Sequence, residues 1–173
     1  MKKRFLSLIC ALAMLLSVVI PTAYAETDSH CLLCGTDEWT TLTADTVLED
    51  GGHYRLSGTV SLSKQFSVST TANVCIDLAG HTLKHDTGRA FLLGNSDGKG
   101  NDKVVLNVFD SSENGTGRVE GDSSDASSGG VAYLYNGATI NIYGGTFATD
   151  VTKYLAGNAG SVETEDGFTV HIH

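Results

Sequence analysis

Two cysteines near the start of the chain have the spacing of a thiol or metal motif. Cys31 and Cys34 are two residues apart, and His30 comes directly before them. Thiolates at this spacing can bind one Zn²⁺ ion together, although a closed site needs four ligands. The residues that could complete such a site are Cys75, His53, His81 and His85. A second C-x-x-C pair is missing, and a Cys31–Cys34 disulfide is the alternative.

Four segments of the chain share an apolar-polar-apolar pattern and place one polar residue each in the same position. Their second residues lie 30, 34 and 30 residues apart. The four polar residues are Asp77, Asn107, Asn141 and His171. On neighbouring parallel strands they would stack about 4.8 Å apart. Such a ladder could hydrogen-bond a sugar chain, with Tyr143 or Tyr135 stacking on its rings, or it could be an ordinary solvated face.

The acidic loops are candidates for a second metal. Acidic and amide side chains recur in the loop 94–103 and in the Gly- and Ser-rich stretch 110–130. Ca²⁺ takes six to eight oxygen ligands, which loops of this kind can supply. The spacing of Asn95, Asp97 and Lys99 fits an EF-hand poorly because a cation takes the third position. Ca²⁺ and Zn²⁺ are therefore the two cofactors that we consider, and neither has a specific motif.

These residues must be positioned by strands, because the repeat contains little else. Each period of about thirty residues holds about three short β-prone stretches separated by Gly, Ser, Asp and Asn turns. A fixed period of short strands is typical of a repeat architecture. We expect an all-β fold, a parallel β-helix of about four coils, in which inward side chains form a continuous apolar column. An antiparallel sandwich is the alternative.

The N-terminus has the features of an export signal. Residues 1–25 combine three early cations, an apolar run and a small-x-small site, so we expect a signal peptide. A lead-in that contains the cysteines follows over residues 26–45, and the repeats occupy residues 46–173. Removal of the signal changes the formal net charge from −9 to −12. That acidity argues against nucleic acid as a partner. The mature chain contains no apolar run long enough to span a membrane.

The repeat motifs resemble those of a known group of proteins. The matching stretches are Gly52-His53-Tyr54-Arg55-Leu56, Val60-Ser61-Leu62, residues 74–83, residues 136–147, and residues 30–35 followed by Trp39. They are similar to the G-x-Y-x-L, V-x-L, L-x-L-N-G-H-x-I and G-G-x-F/I motifs of secreted β-helix proteins of the pectin-lyase-like superfamily, from Gram-positive anaerobes. The likeness covers about 120 of the 148 mature residues. It implies a right-handed parallel β-helix, and Ala79 departs from it by replacing an Asn.

The same resemblance raises the possibility of polysaccharide cleavage. Lyases of the superfamily often use an Arg as base beside carboxylates that bind calcium, whereas a hydrolase needs two carboxyl groups roughly 5 to 9.5 Å apart. The candidate catalytic residues are Asp77, Asp110, Arg89 and Arg118. Asp110 is offset by three positions from Asn107, and no paired-Asp motif lies on any strand.

The function expected from these patterns is that of a secreted or cell-surface module without catalytic activity. It would bind a glycan or a surface component, associate with a cell wall, or act as a spacer. The alternative is a carbohydrate-active enzyme, a polysaccharide lyase or a glycoside hydrolase. The last predicted strand ends at His173 without a cap, which predicts that this chain is the front part of a longer protein.

Overall fold

The expected all-β class is confirmed in the part of the chain that the structure describes. The structure is a computed structural model that describes residues 38–97, 102–122 and 130–149, together with the backbone of Ala156–Asn158 and Thr169–Ile172. All regular elements in these ranges are strands, and every strand pairing is parallel. None of these residues belongs to a helix that could cross a membrane. The antiparallel sandwich is therefore wrong, because its strands would pair in opposite directions.

Three parallel sheets contain all of these strands. Sheet A contains β1 (Thr40–Thr41), β2 (His53–Arg55), β5 (Ala72–Asp77), β8 (Val104–Phe109), β11 (Ala138–Ile142) and β14 (Thr169–Ile172). Sheet B contains β3 (Val60–Ser61), β6 (Thr82–His85), β9 (Arg118–Gly121) and β12 (Thr146–Thr149). Sheet C contains β4 (Phe66–Val68), β7 (Phe91–Leu93), β10 (Ala132–Leu134) and β13 (Ala156–Asn158). From β2 onward the chain visits sheets A, B and C in strict rotation.

The register of sheet A confirms most of the predicted repeat and corrects one part of it. Asn141 lies opposite Asn107 on one side and opposite His171 on the other, as predicted. The residue opposite Asn107 on β5 is Cys75, whereas Asp77 lies opposite Phe109. The prediction that Asp77 occupies the same column as Asn107 is therefore wrong. A shift of two residues keeps the inward and outward alternation of a strand, so the apolar pattern could not detect it.

The apolar core lies between the three sheets, as alternation along the strands predicts. Sheet A contributes columns such as Val74, Leu106 and Ile140, which are at most 2% exposed. Sheets B and C contribute the remaining faces, including Leu83, Val119, Phe91 and Leu93. Burial of each such side chain contributes about 1.5–3 kcal/mol to stability. Because matching positions recur in every turn of the repeat, these contributions form one continuous cluster rather than separate cores.

The end of the predicted lead-in is part of the folded repeat. β1 lies within residues 26–45 and pairs with β2 at the edge of sheet A. Leu42 and Leu48, which flank the following loop, are both buried in the main core. The Tyr54 hydroxyl fixes that loop, since it donates to the Val47 carbonyl at 3.1 Å and accepts from the Glu49 amide at 3.0 Å. The signal peptide and most of the lead-in lie outside the described residues.

The turn from β5 to β6 has an uncommon backbone conformation. Ala79 has a φ of 46° and Gly80 a φ of 79°, and the His81 amide donates to the Leu78 carbonyl at 2.8 Å. Positive φ at both central residues is the pattern of a type I′ turn, which favours Asn and Gly. A left-handed conformation costs an ordinary L-residue about 1–2 kcal/mol. Ala79, which has a Cβ and no side-chain group to stabilise this conformation, therefore carries backbone strain here.

We expect Ala79→Gly to raise the free energy of unfolding by about 0.5–1 kcal/mol, because glycine removes the strain of the left-handed backbone. Urea unfolding followed by circular dichroism measures this change. The matched control is Ala148→Gly on β12, where the same substitution should lower stability by about 0.5–1 kcal/mol. Destabilisation of similar size at both positions would show that the turn is not strained.

Candidate functional site

A column of outward-facing residues crosses sheet A and corresponds to the polar ladder predicted from the sequence. Backbone pairing places His53, Cys75, Asn107 and Asn141 side by side on β2, β5, β8 and β11. The next strand continues the column with His171, whose side chain lies outside the described residues. The column differs from the predicted one in that Cys75 takes the place assigned to Asp77.

Two asparagines of this column, Asn107 and Asn141, form a hydrogen-bonded ladder that continues to Asn73, two residues before Cys75 on β5. The Asn141 amide donates to Oδ1 of Asn107 at 2.8 Å, and the Asn107 amide donates to Oδ1 of Asn73 at 2.8 Å and to the Val74 carbonyl at 3.3 Å. Asn107 is only 5% exposed. Its amide therefore stabilises the stacking of turns and has little surface for a ligand. Asn141, at the next position, is only half-buried.

Asp77 is a buried structural carboxylate. Its side chain has no exposed surface, and it accepts hydrogen bonds from Arg55 Nε at 2.7 Å and from the Ser111 hydroxyl at 2.7 Å. The amides of Ala79 and Ser111 each donate to it at 2.9 Å. These four donors come from three consecutive turns of the repeat. Asp77 therefore connects those turns and is shielded from any substrate.

Asp110 has a similar role one turn later. Its carboxylate accepts from the amides of Gly80, Ser112 and Gly117 at 2.8, 3.1 and 2.6 Å, and from the Ser112 hydroxyl at 2.9 Å. Burial by itself would raise the pKa of Asp110. The hydrogen bonds led by the Gly117 amide outweigh that effect, so the pKa of Asp110 lies below the ordinary value of 3.8. The group is thus held ionised as an acceptor for backbone donors.

The two candidate arginines lie apart from this column. Arg118 begins β9 in sheet B and donates through Nε to Oε1 of Glu120 at 2.8 Å, with both side chains well exposed. Arg89 precedes β7 and stacks on Tyr133, with Cζ 4.7 Å from the ring centre. Tyr133 in turn packs edge-on against Tyr135 at 5.2 Å, which places Tyr135 in this second aromatic group. The structure thus distributes the four catalytic candidates over sheet A, sheet B and two connections between strands.

Aromatic side chains cover part of the outer face of sheet A. Cys75 and Phe109 are 3% and 8% exposed, and Trp39 and Tyr143 pack against them. Burial raises the pKa of the Cys75 thiol, and a hydrogen bond from Asn107 opposes the rise. Cys75 is therefore protonated and shielded at neutral pH. In the sequence, Trp39 stands out only as part of a motif resemblance, and no local pattern indicates that it belongs to this face.

The metal candidates find limited support in the ranges that the structure covers. No three His, Cys, Asp or Glu side chains among the described residues are grouped so that they could hold a metal ion. In the first acidic loop, Asn95 donates to Asp102 at 3.3 Å and accepts from the Asp97 amide at 3.2 Å. His30, Cys31 and Cys34 lie outside the described residues, so their zinc and disulfide alternatives both stay predictions.

A groove of about 330 Å³ at the end of the sheet B strands was not anticipated from the sequence. Its lining residues come from three consecutive turns and are Lys84, His85, Asp86, Glu120, Gly121, Asp122, Ala148 and Thr149. Lys84 and Asp86 form an ion pair at 3.0 Å, and Glu120 pairs with Arg118. The groove is polar, and these ion pairs satisfy much of its charge. Residues on strands 28 to 36 positions apart form it, so no local motif could have revealed it.

No protein-family model, curated protein or solved structure matches this chain. Any assignment of function must therefore come from the residues and their geometry.

We expect Asp77→Asn to lower the free energy of unfolding by about 2–4 kcal/mol, because an amide at this enclosed position cannot accept all four hydrogen bonds that the carboxylate accepts and removes the counter-charge of Arg55. Denaturant unfolding at neutral pH measures the loss. Asp86→Asn is the matched control, since Asp86 is 71% exposed and its ion pair with Lys84 should contribute less than about 0.5 kcal/mol. Equal effects at the two positions would contradict a structural role for Asp77.

The lowered pKa of Asp110 predicts a pH-dependent contribution to stability. A carboxylate whose pKa is depressed by folding stabilises the protein above its ordinary pKa, and that stabilisation is lost as the pH falls through the folded value. The difference in unfolding free energy between wild type and Asp110→Asn should therefore be largest near about pH 6 and shrink below about pH 3.8. Urea titrations across this pH range measure that difference in unfolding free energy. A difference that does not change with pH would contradict the prediction.

Proposed function

We propose that this chain is an exported, non-catalytic binding module. Its strands form consecutive turns of a right-handed parallel β-helix, and each turn contributes one strand to each of the three sheets. The strict rotation of strands through sheets A, B and C supports the helical path. So does the continuous apolar cluster, which each turn extends with inward residues at matching positions. The handedness and the kinship with the pectin-lyase-like superfamily rest on the motif resemblance.

The observation that carries the non-catalytic assignment is the state of the two candidate aspartates. Asp77 has no exposed surface, and Asp110 accepts four hydrogen bonds from its own corner of the fold. A general acid or base must reach its substrate within hydrogen-bonding distance. Carboxylates that stabilise turns in this way are suited to holding the fold together rather than to proton transfer.

The surface that we propose for a glycan is the part of sheet A around Asn141 and Tyr143. Both are half-buried, whereas Asp77 and Asn107 are enclosed. An amide beside an aromatic ring matches the alternating polar and apolar faces of a sugar. A neutral or cationic glycan fits best, because the mature chain carries a net charge of −12 and would repel an anionic polymer at low salt.

The test is glycan binding by the purified protein to an array of neutral, cationic and anionic oligosaccharides. Tyr143→Ala should weaken binding by about tenfold, the loss expected when one aromatic stacking contact of about 1.4 kcal/mol is removed. Tyr135→Ala is the matched control, because that ring packs against Tyr133 and should leave affinity unchanged. No binding to any glycan, or equal loss in the two variants, would contradict the proposed surface.

A carbohydrate-active enzyme is the second candidate, and the polar groove of sheet B favours it. Glu120, Asp122 and His85 all line the groove, and these are residue types that general acid–base catalysis uses. Release of reducing or unsaturated ends from a polysaccharide, abolished by Arg118→Ala or Glu120→Gln, would support this function. Such a result would overturn the non-catalytic assignment.

A further inference from the structure

The segment formed by residues 38–41, which we name the strap, is attached to the repeat in an unusual way. Its strand β1 has two residues, both exposed, and only two residue pairs join it to β2. For comparison, β5 and β8 share six pairs. The backbone pairing of the strap is therefore short, and the Trp39 side chain adds contacts to it, while the chain directly after the strap is anchored in the main core by Leu42.

Trp39 makes contacts well beyond its own strand. Its ring lies 6.0 Å from that of His53, edge-on, and 5.6 Å from that of Phe109, while the Arg55 guanidinium carbon lies 5.2 Å from its ring centre. Phe109 ends β8, three strands from β1 in sheet A. Three strand spacings are about 14 Å. The indole thus lies along the outer face of the sheet and joins the strap to a later turn.

The residues beneath the indole owe their burial to this arrangement. Cys75 and Phe109 lie on the outer side of sheet A, because Val74 and Ile76 on one strand and Val108 on the other face the core. Outward residues of a sheet are normally solvated, yet these two are 3% and 8% exposed. Trp39 and Tyr143 are the partly buried side chains packed on them. The indole therefore forms part of the cover over the Cys75 thiol and lies outside the main core.

We propose that the strap opens as a unit from an otherwise folded repeat, and that Trp39 is the closure that shields Cys75 and Phe109. Segments with few buried contacts and few protected hydrogen bonds open at a lower free energy than the whole fold. In the closed state the outer face of sheet A presents Arg55 and the Trp39 edge. In the open state it presents an apolar patch with a thiol. The strap adjoins the proposed glycan site, because Tyr143 of that site packs on the same two residues, Cys75 and Phe109, as Trp39 does.

The reactivity of Cys75 in the native protein reports the opening. The experiment uses the full chain with Cys10→Ser, Cys31→Ser and Cys34→Ser, so that Cys75 is the single thiol. A chromogenic disulfide reagent at neutral pH then measures the labelling rate. Burial keeps the pKa of Cys75 above its ordinary value, so the enclosed thiol reacts slowly until the strap opens.

We expect Trp39→Ala to accelerate labelling at least about tenfold while the thermal midpoint falls by only a few degrees, because the main core is untouched. Tyr135→Ala removes an aromatic ring elsewhere and should leave the labelling rate unchanged.

In the wild type, the labelling rate should be nearly independent of low urea concentrations, since local opening exposes little surface. If Trp39→Ala fails to fold, Trp39→Phe and the urea dependence of the wild type decide instead. Two results would overturn the proposal. One is a labelling rate in the Trp39 variants equal to that of the wild type. The other is a wild-type labelling rate that rises with urea concentration as steeply as global unfolding does.

Discussion

Successive turns of this protein are held in register where sheet A passes into sheet B, by carboxylates that accept hydrogen bonds from neighbouring turns. Asp77 receives donors from Arg55 and Ser111, which lie on the turns before and after its own. Asp110 accepts from the Gly80 amide of the turn before and from the Gly117 amide of its own turn. Such buried charges are favourable only when every lone pair is used, so they allow one spacing of the turns and disfavour others.

The close approach of the chain at this corner explains its small residues. A Cβ on Gly117 would lie 2.6 Å from Leu78 Cβ and 2.6 Å from Asp110 Cγ, and one on Gly145 would lie 2.6 Å from Leu78 Cδ1. Leu78 therefore extends beneath two later turns, and only glycine leaves room for it. The hydrogen bonds of Asp110 and the burial of Leu78 both require this close approach of the backbone at Gly117. Polar and apolar stabilisation of the fold are therefore coupled at this corner.

This use of charged groups bears on function. Asp77 and Asp110 were the acidic candidates for catalysis. In the fold, both carboxylates accept hydrogen bonds from backbone amides instead. Among the described residues, the outer surface includes a hydrogen-bonded amide ladder that extends to Asn141, an aromatic cover, and a groove whose charges are largely paired. Such surfaces are suited to recognition by shape and hydrogen bonding, which is the role that we propose for the module.

The class of fold, the repeat and most strand positions could be predicted from the sequence, because the alternation of apolar residues and the glycine-rich turns are local properties. The sequence pattern placed Asn107, Asn141 and His171 in one column correctly. It misplaced Asp77, since a register shift of two residues leaves the pattern of buried and exposed positions unchanged. Only the tertiary structure decided that Cys75 belongs to the column, that Asp77 is enclosed, and that Trp39 reaches across to a later turn. These outcomes depend on contacts between residues 22 to 70 positions apart, whose geometry no local pattern encodes.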